Sequence, residues 1–286
     1  MRLAALLSVM LCGPCVLGAA VAQDLPARAV DDTDLGKDRI TIAVGPAITP
    51  RYIGSRDMTV IPGVAVQGQV AGYSFSTQGT SLSVDLIPDD GKPGWKLQVG
   101  PILNVRLDRT SRIGNRQVAA LGDLKTAWEP GVWAGIQRTG VVTSPYDTLS
   151  ANVTWQHDIS GAYGGSVFSP AISYATPLSH KDYVSLSAGA DHVGRRFGAY
   201  YYDVTAPQSL ASGLRAYDGA GKAGWKDWNL ALLAAHTLRG TLTHGFGVFG
   251  TIGYSRLLGS YARSPIVADV GRADQWSGAV GFSLTF

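Results

Sequence analysis

Glutamate is nearly missing from this chain. Of 21 acidic residues only Glu129 is Glu, and Lys supplies few of the 24 basic residues. Both are strong helix formers, so their scarcity argues against a mainly helical protein. Cysteine is confined to Cys12 and Cys15, close to the start. Only 16% of residues are charged, and no Lys/Arg run appears, so nucleic-acid binding has no electrostatic footprint. After Ala22 there is no apolar run of spanning-helix length. That excludes spanning helices but leaves spanning strands open. A hydrophobic share of 45% with so little charge also excludes a disordered chain.

Glycine, by contrast, is abundant: 36 in 286 residues, nearly twice the usual share of about 7%. Glycine weakens ordinary strands, so the question is which β architecture uses so much of it. The start of the chain reads as a secretory signal peptide over 1–22. Arg2 precedes an apolar run, and Ala20-Val21-Ala22 forms a small-residue cleavage site between Ala22 and Gln23. Cys12-Gly13-Pro14-Cys15 spells a CxxC, but it falls inside that signal and lacks the βαβ context of a redox motif. Residues 23–38, with five aspartates, Pro26 and Gly36, read as a flexible periplasmic lead-in.

The remainder, 39–286, alternates with period two. Trp276, Gly278, Val280, Phe282, Leu284 and Phe286 alternate with Ser277, Ala279, Gly281, Ser283 and Thr285. One face suits lipid and the other a crowded polar lumen. The ending Phe282, Leu284, Phe286 resembles the C-terminal insertion signal of bacterial outer-membrane barrels. It names outer-membrane lipid and the barrel-assembly machinery as partners. Similar alternation runs through Leu149–Trp155, Val184–Ala190, Phe246–Tyr254 and Trp95–Leu107.

The expected fold class is an all-β, antiparallel transmembrane β-barrel of about twelve strands. The strands fall at 39–48, 58–67, 70–78, 80–87, 95–107, 124–137, 147–157, 166–175, 183–193, 227–238, 245–257 and 275–286. An even count suits a single-chain bacterial barrel. With both termini periplasmic, the long connections 108–123, 194–226 and 258–274 face outward, and short turns face inward. Tyr52, Trp95, Trp128, Trp155, Tyr183, Trp228, Tyr254, Trp276 and Phe286 lie near strand ends, as aromatic girdles do.

Candidates for chemistry are thin. None of the five histidines forms a metal-ligand pair, so no metal or cofactor is expected. His157-Asp158 and Asp191-His192 are neighbours on strands, where adjacent side chains point to opposite faces. Neither makes a catalytic dyad by adjacency, and no enzyme activity is expected. Lys96, Arg106, Lys125, Glu129 and Asp191 form the expected lumen polar cluster. In a narrow barrel they pair across the lumen and plug it; in a wider one they line a water path. The loop at 194–226 carries Arg195-Arg196, Tyr200-Tyr201-Tyr202 and Ser212-Gly213-Leu214, and should be packed rather than loose.

The order of several motifs resembles the MipA/OmpV family of outer-membrane proteins. They are Ile42-Ala43-Val44-Gly45-Pro46, Tyr52-Ile53-Gly54-Ser55, Val99-Gly100-Pro101, the Tyr-rich stretch with Ser212-Gly213-Leu214, Leu257-Leu258-Gly259, Ser264-Pro265-Ile266-Val267 and the terminal Phe286. The resemblance covers essentially all of 39–286. It implies a barrel in the cell outer membrane. In the family's namesake it implies a scaffold that brings a murein-degrading lytic transglycosylase to a murein synthase. It brings no catalytic residues. A small-solute channel and a surface adhesin are the other roles that this architecture and family admit.

Overall fold

The computed structural model describes residues 38–89, 94–111 and 113–286. The expected signal peptide, its cleavage at Ala22–Gln23 and the lead-in up to 37 lie outside the described residues. Twelve strands follow one another around a closed antiparallel barrel. They are β1 (Arg39–Pro50), β2 (Met58–Val70), β3 (Tyr73–Gln78) and β4 (Ser81–Val84). Next come β5 (Trp95–Arg106), β6 (Ala127–Thr139), β7 (Thr148–His157) and β8 (Ser166–Pro177). The last four are β9 (Asp182–Val193), β10 (Gly224–Thr241), β11 (His244–Leu257) and β12 (Asp274–Thr285). The ring closes where β12 pairs with β1, from Thr41 opposite Thr285 to Ile48 opposite Gly278.

The alternation read from the sequence becomes inside and outside. Val60, Leu97, Val132, Leu186 and Val280 stand on the outer wall with more than half of their surface exposed. So broad an apolar surface is untenable in water and is satisfied by lipid. The opposite face carries small polar groups. Thr41 and Thr285 place their hydroxyls 2.9 Å apart, and Ser150 and Ser173 place theirs 2.6 Å apart. Phe282, Leu284 and Phe286 all face outward and are exposed.

Lumen-facing glycine is required where the ring closes. Pro46 interrupts the β1–β12 ladder between the pairs Val44–Phe282 and Ala47–Ala279. There the backbones crowd: a methyl group at Gly281 would meet the Val44 carbonyl oxygen at 2.1 Å.

Direction follows from the ends. The start of β1, the end of β12 and the short turns 71–72, 178–181 and 242–243 share one end. The long connections 107–126, 194–223 and 258–273 share the other, which is the outward end of such barrels. Among the described residues every helix belongs to that outer end: α1 (Arg116–Ala119), α2 (Arg195–Tyr202), α3 (Ala206–Ser212), α4 (Gly259–Arg263) and α5 (Pro265–Ala268).

Most expected girdle residues sit at the rims. Trp228, Tyr254 and Trp276 form a chain of rings at the outer rim, with centroids 5.3 and 4.9 Å apart. Two do not. Tyr183 shares parity with Ser185 and Ser187, so it points into the lumen and is buried. Tyr52 lies beyond the end of β1 and turns into the packed outer loops.

The crowding at Gly281 predicts that Gly281→Val loses about 1–3 kcal/mol by overpacking at the ring closure. Mobility on gels with and without heating checks it. The variant should unfold at temperatures where the wild-type barrel still migrates as the compact form.

Candidate functional site

The outer mouth of the barrel is closed by its own loops. Tyr163, Phe197, Tyr201, Tyr202 and Tyr261 pack with Val167, Val193, Leu257 and Val267 into one apolar cluster. Tyr52, Ile113, Val118, Leu121, Val204, Leu214 and Ile266 form a second. Polar contacts lace the loops together. Arg109 donates to the Tyr201 carbonyl at 2.7 Å, and Ser264 Oγ donates to the Tyr202 carbonyl at 2.5 Å. Gln208 caps α3 through Thr205 and reaches the Leu121 carbonyl at 3.1 Å.

Underneath this cap lie two buried ion-pair groups. In the first, Arg106 grips Glu129 with Nε to Oε1 at 2.7 Å and Nη2 to Oε2 at 3.0 Å. Asn104 Nδ2 and the Tyr163 hydroxyl donate to the same carboxylate, each at 2.7 Å. In the second, Lys226 Nζ lies 2.9 Å from Asp191 and 3.0 Å from Asp227. Ser169 Oγ donates to Asp191 at 2.6 Å. Phe197 of α2 joins them: its ring centroid is 5.1 Å from the Arg106 guanidinium carbon and 5.7 Å from Lys226 Nζ. A fully buried ring held between the partly buried Arg106 and the fully buried Lys226 fixes α2 over the barrel mouth.

Of the residues expected in a lumen cluster, Arg106, Glu129 and Asp191 come together here. Lys96 does not; it pairs with Asp89 at the periplasmic end of β5. Lys125 departs further. Strand β6 begins at Ala127, so Lys125 belongs to the preceding loop with its side chain exposed. Its backbone N–H donates to the Tyr200 hydroxyl at 2.8 Å, in place of a ladder partner.

Lys226 escaped the sequence reading for a physical reason, whereas Asp227, first residue of the expected strand 227–238, shares parity with inward Asn229 and was legible but not singled out. In β10 the outward residues are Trp228, Leu230 and Leu232, so parity assigns Lys226 to lipid. A bulge against β9 between Trp225 and Asp227 breaks that parity. Such bulges re-aim side chains, and here both Lys226 and Asp227 are buried. Phe197, in a loop, carried no period to reveal it.

His157 and His236 each contact a neighbouring polar side chain. His157 Nδ1 meets Ser166 Oγ at 2.9 Å, while Asp158 turns away to accept from the backbone N–H groups of Tyr163 and Gly164. Burial acts to raise the Asp158 carboxyl. The donors from Gly164, Ser160 and Tyr163 outweigh it and hold the carboxyl below its ordinary value. Asp158 is thus the organiser of the β7–β8 loop. His236 Nδ1 lies 2.7 Å from Asp182 at the opposite end of the barrel. Among the described residues no His/Cys/Asp/Glu group is arranged to hold a metal.

The family model of the MltA-interacting protein MipA matches residues 42–286. The chain belongs to the MipA family. The match runs from within β1 through every later strand and capping loop of this MipA-family barrel, which is an outer-membrane barrel protein. No curated protein matches its sequence. Among solved structures it is similar to Pseudomonas putida OprB, at 12% identity and a TM-score of 0.37. That alignment covers 79% of this chain and 59% of OprB, so the chain spans less than two thirds of that relative's length. It is also similar to the Pseudomonas putida toluene transporter TodX (9% identity, TM-score 0.33, covering 87% of each chain). Vibrio cholerae OmpT is a third (8% identity, TM-score 0.35, covering 91% of this chain and 99% of that one).

The placement of α2 makes a direct prediction. Glu129→Gln leaves Arg106 buried without a counter-charge and should cost about 3–5 kcal/mol. Phe197→Ala should cost a similar amount, about 3–5 kcal/mol, through its cavity. In both variants trypsin should cut at Arg195 and Arg196 faster than in the wild type, because α2 must open locally for cleavage.

Proposed function

We propose that this barrel is a non-enzymatic scaffold at the inner face of the outer membrane. It would hold a murein-degrading lytic transglycosylase close to a murein synthase. The family match carries the reading, since the family takes its name from interaction with MltA. The packed outer loops favour it over a solute channel, because the loops that would guard a pore are packed across the mouth instead.

A scaffold needs a firm periplasmic surface, and two adjacent turns supply one. In the turn 140–147, Asp147 accepts from the backbone N–H groups of Val141, Val142 and Thr143 at 2.5, 2.7 and 2.5 Å. The Tyr174 hydroxyl adds a fourth bond at 2.8 Å. Thr143 Oγ1 ties this turn to Thr176 of β8 at 3.1 Å. The next turn, 178–181, is closed by Ser179 Oγ on Asp182 at 2.5 Å. Each turn holds out one apolar side chain: Val142 is 75% exposed and Leu178 is 67% exposed. Fixed apolar tips of this kind suit docking by a soluble periplasmic domain.

Pull-down of tagged barrel from solubilised outer membrane checks the reading. The wild type should retain a lytic transglycosylase, and the double variant Val142→Asp with Leu178→Asp should lose it while staying folded. A wild type that never retains the transglycosylase contradicts the reading.

The turn also makes a pH prediction. Burial acts to raise the Asp147 carboxyl, but its backbone donors and Tyr174 hold it well below the ordinary carboxylate range. A depressed folded value means that its stabilisation is complete above the unfolded value of about 3.9. It is lost as pH falls further toward the folded value. The protection factors of the Val141 and Thr143 amides, which remove the intrinsic pH dependence of exchange, should therefore hold from neutral pH down to about 4 and fall below it.

A further inference from the structure

The hydrogen-bonded wall has a gap beside β2. Strand β3 pairs with β2 only from Gln67 to Val70, and the β3–β4 hairpin turns back at Gly79 and Thr80. Beyond that, β2 climbs to Met58 with β1 alone beside it. The ladder ends on a side chain. Thr77 Oγ1 accepts from Val66 N at 2.7 Å and donates to Val66 O at 3.1 Å. This fixes which way β2 turns its backbone: even-numbered residues aim at the β3 side, because successive peptide groups alternate. Val64, Pro62 and Val60 therefore aim their backbone groups past the hairpin tip. Among the described residues no hydrogen bond reaches them from that side. Pro62, opposite Pro46, has no N–H to lose there, which is where a sheet tolerates proline.

Strand tilt lifts Val60, joined through Ile48 to Gly278, to about the level of the rim residue Trp276, and the free edge descends from there to Val64, opposite Val44, at membrane depth. The side chains of Val60 and Val64 face outward and are exposed. A lipid-facing sheet edge without hydrogen-bond partners is not tolerated in hydrocarbon, so something polar must occupy it.

The borders limit what that can be. The hairpin tip is anchored to β5: Thr80 Oγ1 and Ser81 Oγ donate to Asn104 Oδ1 at 3.3 and 2.8 Å. Above, Ile53 N donates to Asp108 Oδ1 at 2.9 Å, so the β1–β2 loop is tied to the end of β5. A gap closed above and below admits a compact head group. An extended strand from another protein, whose ends must run on past the site, does not fit.

We propose that this gap is a binding portal for an outer-leaflet amphiphile with a neutral, hydrogen-bonding head. The chain lies in the membrane along Val60, Pro62 and Val64. The head takes up the free N–H and C=O groups of the β2 edge. The site is separate from the periplasmic turns, so the scaffold reading can fail without affecting it.

Residue-resolved amide exchange by NMR tests this in phosphatidylcholine nanodiscs, with dodecyl maltoside as the probe. The Val60 and Val64 amides should exchange fast while Ile61 and Gly63, bonded to β1, stay protected. Adding the maltoside should slow Val60 and Val64 by about tenfold or more, saturably, and leave Ile61 and Gly63 unchanged. Two results overturn the proposal. One is protection of Val60 and Val64 equal to that of Ile61 and Gly63 before the probe is added. The other is fast exchange that the probe does not change.

Discussion

Hydrocarbon offers no hydrogen bonds, and this structure is organised around that constraint. Each backbone N–H and C=O at membrane depth needs a partner inside the protein, so the sheet must close on itself. Closure of β12 onto β1 then forces each side chain to one of two solvents. Outside is lipid, and the wall is Val, Leu, Ile and Trp. Inside is a confined space, and the wall is Ser, Thr, Ala and Gly. The glycine excess belongs to this arrangement. At Gly281 the strands approach too closely for any side chain. The scarcity of glutamate accompanies this, since a chain built mostly of strands has little need for a strong helix former.

The charges that remain inside are few and concentrated. Glu129, the single glutamate, receives hydrogen bonds from Arg106, Asn104 and Tyr163. Lys226 sits between Asp191 and Asp227. Replacing such groups with apolar residues is often neutral for stability, whereas orphaning one partner is costly. Their use here is positional. They fix where α2 lies, because the Phe197 ring docks on both cations, and α2 carries the tyrosines from which the cap is built. The outer loops thereby become one packed body.

Much of the fold was legible because a barrel wall has a strict period of two. The twelve strands lie close to where alternation placed them, and loops and turns fall at the expected ends. What was lost was lost where periodicity stops. The bulge at Trp225–Asp227 reverses the side on which Lys226 falls, and nothing in Gly224-Trp225-Lys226-Asp227 announces it. Lys125 was read inside a strand over 124–137, but the strand starts two residues after it, at Ala127. Tyr183 was legible and misassigned: its parity with Ser185 already placed it inside. The shortness of β3 and β4 was hidden by the glycines around them. The polar cluster was half visible, since Arg106, Glu129 and Asp191 obey strand parity while Phe197 comes from a loop.

The packed outer loops link these observations to the proposed role. If Phe197 and the cap close the lumen, the barrel offers its periplasmic rim to partners and no through-path to solutes. Single-channel recording of the purified wild-type barrel in a planar lipid bilayer tests this most directly. The expected result is a silent membrane at physiological salt, with no unit steps above background. Reproducible conductance steps from the wild-type protein would contradict it and return the barrel to the channels.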